Sequence, residues 1–115
     1  MAWEVHKNTR GVKPKISIRG ESQLGFNSAA IDDFKLKDYN YAVLYIDKEL
    51  KKIGVRLTID KEDEACKLKT GKGGAHISSK SFISKINKLG NLKSHQFNVQ
   101  WDDGEKMIVA ALEYN

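Results

Sequence analysis

Leu24-Gly25-Phe26-Asn27-Ser28-Ala29-Ala30-Ile31 reads as a short apolar strand running straight into a capped helix, and the same grammar returns at Ala75-His76-Ile77-Ser78-Ser79-Lys80-Ser81-Phe82. In the first stretch Asn27 suits the N-cap, because its side-chain oxygen can accept from a free backbone N–H of the first turn. Phe26 and Ile31 are spaced for a hydrophobic staple, and Ala30, Ile31 and Phe34 share one face of a helix from Ser28 to about Leu36. In the second stretch Ser78 takes the cap, Ile77 and Phe82 form the staple, and Phe82, Ile83 and Ile86 supply the apolar side.

Working outward, Lys15-Ile16-Ser17-Ile18-Arg19 alternates polar and apolar residues, so it makes a hairpin with Leu24–Phe26 across a turn at 20–23. Tyr41–Ile46 is apolar on both faces and reads as a central strand, joined by a charged turn at 47–52 to Ile53–Leu57. The second half repeats the order, with Cys66–Lys69, the glycine turn Thr70-Gly71-Lys72-Gly73-Gly74 and Ala75–Ile77 before the helix. Phe97–Trp101, a two-residue hairpin at Asp103-Gly104 and Met107–Leu112 follow it. The reading is an α+β fold of two β-β-α-β-β repeats, residues 15–58 and 65–113, forming one small barrel or a pseudo-dimeric sheet. Both lie in a single domain at 15–115, linked through Ile59–Glu64 and preceded by a basic N-terminal arm at 1–14. Phe26, Ile31, Phe34, Val43, Ile77, Phe82, Ile86, Val99 and Trp101 are the predicted shared core.

At 115 residues, with 40% hydrophobic and 30% charged, the chain has the composition of one folded domain. A single cysteine, Cys66, excludes an internal disulfide framework and a thiolate zinc site, and it fits a reducing, cytoplasmic setting. No apolar run approaches the roughly 18 residues of a membrane helix, so no membrane partner is expected. The formal charge of +5 is unevenly spread: residues 65–101 hold seven lysines and no acid. Such a run serves as a solvated face or as a surface for a polyanion.

Candidate chemistry is sparse. His6, His76 and His95 lack the spacing of a metal motif, so no metal or other cofactor is expected. Cys66 reads as a buried, inert thiol, although His76 could approach it across a hairpin. Asp32-Asp33 suits the first turns of a helix, where negative charge complements the dipole, and Asp47 and Asp102-Asp103 suit turns. The glycine turn at 70–74 lacks the spacing and context of a phosphate loop. Phe97 and Trp101 belong to the core by alternation, with Asn98, Gln100 and Asp102 on the opposite face. Tyr41 and Tyr45 share the equivalent strand face, where exposed aromatics would form a stacking platform for unpaired bases. With no nucleophile–base pair, the chain reads as non-enzymatic.

The run Ile16-Ser17-Ile18-Arg19-Gly20 through Leu24-Gly25-Phe26-Asn27, the short helix and the hairpin of Tyr41–Asp47 with Lys52–Leu57 resemble the AbrB-type swapped-hairpin DNA-binding domain. Two copies in one chain resemble the tandem MraZ-type arrangement, which implies a barrel built as an intramolecular pseudo-dimer and a DNA-binding role. Gln23-Leu24 and Asn27 stand where that family usually has Gly-Arg and a proline. Four strands from Tyr41 to Ile77 followed by a helix are also similar to the Whirly-type single-strand-binding fold. The Phe-Asn-Ser-Ala-Ala and Tyr-Ile-Asp stretches are similar to small uncharacterised phage and prokaryotic proteins. The expected function is therefore nucleic-acid binding, with DNA favoured. If the repeats pair, Lys13, Lys15, Arg19, Lys67, Lys69 and Lys72 lie on one surface, extended by Lys7 and Arg10. The alternative is a small adaptor or inhibitor, phage- or mobile-element-encoded, that docks through the same cations on an acidic protein surface.

Overall fold

Alternation decides the interior. Ile16 and Ile18 in β1 (Lys15–Arg19), Leu24 and Phe26 in β2 (Gln23–Asn27), and Ala75 and Ile77 in β6 (Gly74–Ser78) are all buried, while the residues alternating with them take the outward parity. The remaining strands are β3 (Tyr41–Asp47), β4 (Lys52–Thr58), β5 (Ala65–Thr70), β7 (Gln96–Asp102) and β8 (Met107–Ala111). The helices are α1 (Ser28–Asp33) and α2 (Lys80–Asn87). This computed structural model describes residues 13–20, 22–71, 73–88 and 96–112. Within them the eight strands close into an antiparallel barrel in the order β1-β2-β6-β5-β3-β4-β8-β7, a strand number whose interior side chains can fill.

The ring order has a simple structure. The hairpins β1-β2 and β3-β4 are never neighbours; each sits between the hairpins β5-β6 and β7-β8. Exchanging β1–β4 for β5–β8 maps the order onto itself; of the four seams between the halves, β2 against β6 and β4 against β8 pair equivalent strands, and β1 against β7 and β3 against β5 exchange with each other. Because β2 and β6 are antiparallel, α1 leaves β2 at one end of the barrel and α2 leaves β6 at the other. Ala30 and Ile31 from α1, and Phe82, Ile83 and Ile86 from α2, join one core cluster with the strand residues.

Several expectations are corrected. The architecture is mostly β, not α+β, because the helices span only six and eight residues. The first stops at Asp33: Phe34 N donates to Ala30 O, and Lys35 takes a left-handed φ of 54° before a 3-10 turn at Leu36–Asp38. The cap of α2 is Ser79 rather than Ser78, with its hydroxyl accepting from Phe82 N. The second staple therefore loses its spacing, because the residue before the cap is the exposed Ser78. The last hairpin loop has four residues, not two, since Asp102 pairs with Met107. It mirrors the loop between Asp47 and Lys52: Asp47 Oδ1 accepts from Glu49 and Leu50 N, Asp102 Oδ1 accepts from Glu105 N, and Lys51 and Lys106 end the loops at positive φ. Phe34 packs against the core only in part, Val43 is buried outside the main cluster, and Trp101 is 43% exposed at the barrel's end.

Phe26, fully buried, is the largest side chain of the deep interior, so Phe26→Ala should cost about 3–5 kcal/mol in urea unfolding. Cleavage within residues 60–64 should leave two fragments that stay together. Once separated in denaturant, neither should refold alone by circular dichroism, because neither can complete a ring of alternating hairpins.

Candidate nucleic-acid interface

Register carries the outward residues of four strands into rows. Ser17 pairs with Gly25, Gly25 with His76 and His76 with Lys69, giving one row across β1-β2-β6-β5; Arg19, Gln23 and Ser78 form the next. None of these four strands contains an acidic residue. Their cations lie at the two margins, Lys15 and Arg19 on β1, Lys67 and Lys69 on β5. The strands between contribute Gln23, Gly25, Asn27, Gly74, His76 and Ser78. Three interstrand steps separate the margins, roughly 14 Å. Among the described residues none of the four cations has an ion pair.

Local contacts fix how the margins are presented. The Asn27 side chain works three ways: its Oδ1 accepts from Ala30 N at 3.0 Å, capping α1, and from Lys15 N at 3.0 Å, while its Nδ2 donates to Lys13 O at 2.8 Å. One side chain thus ties the start of β1, with exposed Lys13 and half-buried Lys15, to the helix entrance. Arg19 lies across Gly25, where a β-carbon would run into its guanidinium, and Arg19 Nε donates to Ser17 Oγ at 3.3 Å. Lys67 and Lys69 are exposed on β5. Lys72, Lys7 and Arg10 lie outside the described residues, as do His6, His95 and most of the 1–14 arm. His76, an ordinary surface histidine on sequence grounds, stands in the middle of this face. Its parity with Gly74 and Ser78 is the signal that places it there.

The other candidates do not assemble a reactive site. Cys66 packs against the core while His76, on the outward parity of β6, faces away from it. Asp32 and Asp33 are the last two residues of α1, not the first, so the dipole reading of them is overturned. Tyr45 faces outward and is 42% exposed; Tyr41 and Tyr45 are on the opposite parity to Phe97 and Trp101, so no common aromatic face forms. Instead Trp101 stacks on Phe34 at 6.4 Å between ring centres and 30° between planes. Among the described residues no group of three or more His, Cys, Asp or Glu side chains could hold a metal ion, and no helix is long and apolar enough to cross a membrane.

The Arg56 cluster is structural. Its guanidinium donates to both carboxylate oxygens of Glu62, at 2.7 and 3.2 Å, and to Tyr45 Oη at 3.2 Å, which pins the connector to β4. The hydrogen bonds from Glu62 and Tyr45 raise the Arg56 pKa further. Those from Arg56, and next from Thr58, hold Glu62 below the usual carboxylate range. Comparison with known proteins gives no match: no family model, no curated protein and no solved structure. The interface therefore rests on its own geometry.

A depressed carboxylate stabilises the folded state above its unfolded pKa, near 4.5, and that contribution fades as pH falls through the lower folded value. Glu62→Gln should accordingly give a flatter curve of Tm against pH between pH 6 and 3 than the parent. The difference should be small because the pair is solvent-screened, its side chains 33% and 41% exposed.

Proposed function

We propose that the chain is a non-enzymatic nucleic-acid-binding protein, DNA being the favoured partner, whose two β-β-α-β-β halves act together as an intramolecular pseudo-dimer. The observation that carries this is the acid-free face of β1-β2-β6-β5, with Lys15, Arg19, Lys67 and Lys69 unpaired among the described residues at its margins. Cations set in two lines can neutralise phosphates on either side of a strand or groove, and the uncharged floor between them lets the backbone approach. An interior filled by apolar side chains leaves the outside of the barrel as the place of contact. A cytoplasmic site of action suits a chain with one cysteine.

The test is a salt titration of affinity by fluorescence anisotropy. Removing one phosphate-neutralising cation lowers the logarithmic slope by roughly 0.9 on duplex DNA, so Lys67→Ala with Lys69→Ala should flatten it by nearly two. Lys48→Ala with Lys51→Ala, in the turn that also holds Asp47 and Glu49, is the control and should change little. Equal weakening from both pairs would show that net charge alone drives association. Retention of an acidic protein, with no binding to any nucleic acid, would instead favour the adaptor reading.

A further inference from the structure

Next to the basic face, and sharing β1 with it, an open groove of about 640 Å³ runs over β7 and β8 between β1 and β4. Gln96, Asn98 and Gln100 project into it from alternate positions of β7, all exposed. Their spacing along the strand is about 6.8 Å. No hydrogen bond joins their amides to another side chain among the described residues. Each offers two donors and an acceptor. Lys15 pairs with Asn98 on one side, and across the groove Ala111 of β8 pairs with Lys52 of β4, so a lysine stands at each margin. Val109 and Ala111 form the low wall beside the amides. Asp102 and Asp103 line the far end, beside Trp101, whose ring keeps the inward parity and stacks on Phe34.

We infer that this groove receives the unpaired bases of a single-stranded nucleic acid, the amide row of β7 hydrogen-bonding their edges. The inference rests on the proposed nucleic-acid function and narrows it to a strand whose bases are accessible. Charge alone would not need amides. Three amides in line, without side-chain partners among the described residues and beside small apolar side chains, match ligands with flat faces and alternating donor and acceptor edges. Bases in a duplex do not expose those edges this way. The acids give the groove a polarity. Asp102 Oδ1 is held by Glu105 N at 3.0 Å and Asp103 Oδ1 by Lys106 Nζ at 2.9 Å, but they remain carboxylates. They keep phosphate away from their own end, whereas Lys15 and Lys52 attract it at the other. Lys15 stands at the corner between the groove and the basic face, so one strand can pass its backbone over Lys15 from one to the other.

The experiment compares twelve-nucleotide single strands of mixed sequence with the matching duplex, by anisotropy at fixed salt. The protein is the full chain and its triple variant Gln96→Ala, Asn98→Ala, Gln100→Ala. The expected result is about a tenfold loss or more on the single strand, a duplex affinity within twofold, and an unchanged salt slope, since no charge is removed. Unchanged single-strand affinity, or equal loss on both substrates, overturns the inference while leaving nucleic-acid binding in place. Failure of the parent chain to bind either substrate overturns both. Polyglutamate binding with the same dependence on the amides also overturns the inference in favour of a protein ligand. If the triple variant does not fold, the single variant Asn98→Ala, at the centre of the row, decides: loss on the single strand with the duplex unchanged supports the groove, and no loss on the single strand overturns it.

Discussion

The alternation of hairpins around the ring is the constraint on which everything else depends. β1-β2 and β3-β4 do not pair with each other, so the hydrogen-bonding edges of each are satisfied only by β5-β6 and β7-β8. An unpaired edge leaves backbone groups without partners and invites association, and closure removes all such edges at once. The antiparallel seam between β2 and β6 also sends the two helices to opposite mouths, where Ile31, Phe82 and Ile86 complete the core. With both mouths covered and the inside filled by apolar side chains, recognition falls to the outward parity of the strands.

Much of this is legible in the sequence, because period-two patterns such as Lys15–Arg19 and Phe97–Trp101 are local. The departures are set by geometry at the ends of elements. Ser79 displaces Ser78 as the cap because one more strand residue, paired with Gln23, precedes α2 than the first half has before α1. Asp103-Gly104 looks like a two-residue turn, yet Asp102 organises a four-residue loop closed by Lys106 in the left-handed region. Trp101 obeys the inward alternation of β7, but it lies at the barrel's end, where the core has stopped and Phe34 is the ring that covers it. The short helices follow from the same source: each needs only enough residues to close one mouth.

The candidate interface is legible in its ingredients and not in its arrangement. Lys15, Arg19, Lys67 and Lys69 share a parity that alternation reveals. That β2 and β6 lie between them, with His76 opposite Gly25, depends on pairing between residues about fifty positions apart, and no local pattern encodes it. The second and third hydrogen bonds of Asn27, which tie Lys13 and Lys15 to the helix entrance, are hidden in the same way. Gln96, Asn98 and Gln100 are visible as the polar side of β7. Their flanking by Lys15 and Lys52 requires knowing that β7 and β8 lie between β1 and β4.

The pairing of β1 with β7 bears on how the chain matures. Hairpins form locally and fast, but β1 lacks its second neighbour until a strand some eighty residues later has been made, and loop closure over such a distance is slow. During synthesis β1-β2 and β3-β4 stay separate until β5-β6 is made and joins them, and Ile16 still lacks the cover of Phe97. The barrel closes only when β7-β8 arrives, and a ribosome stalled before β7 would display six strands able to pair in one open sheet whose bare edges are β1 and β4.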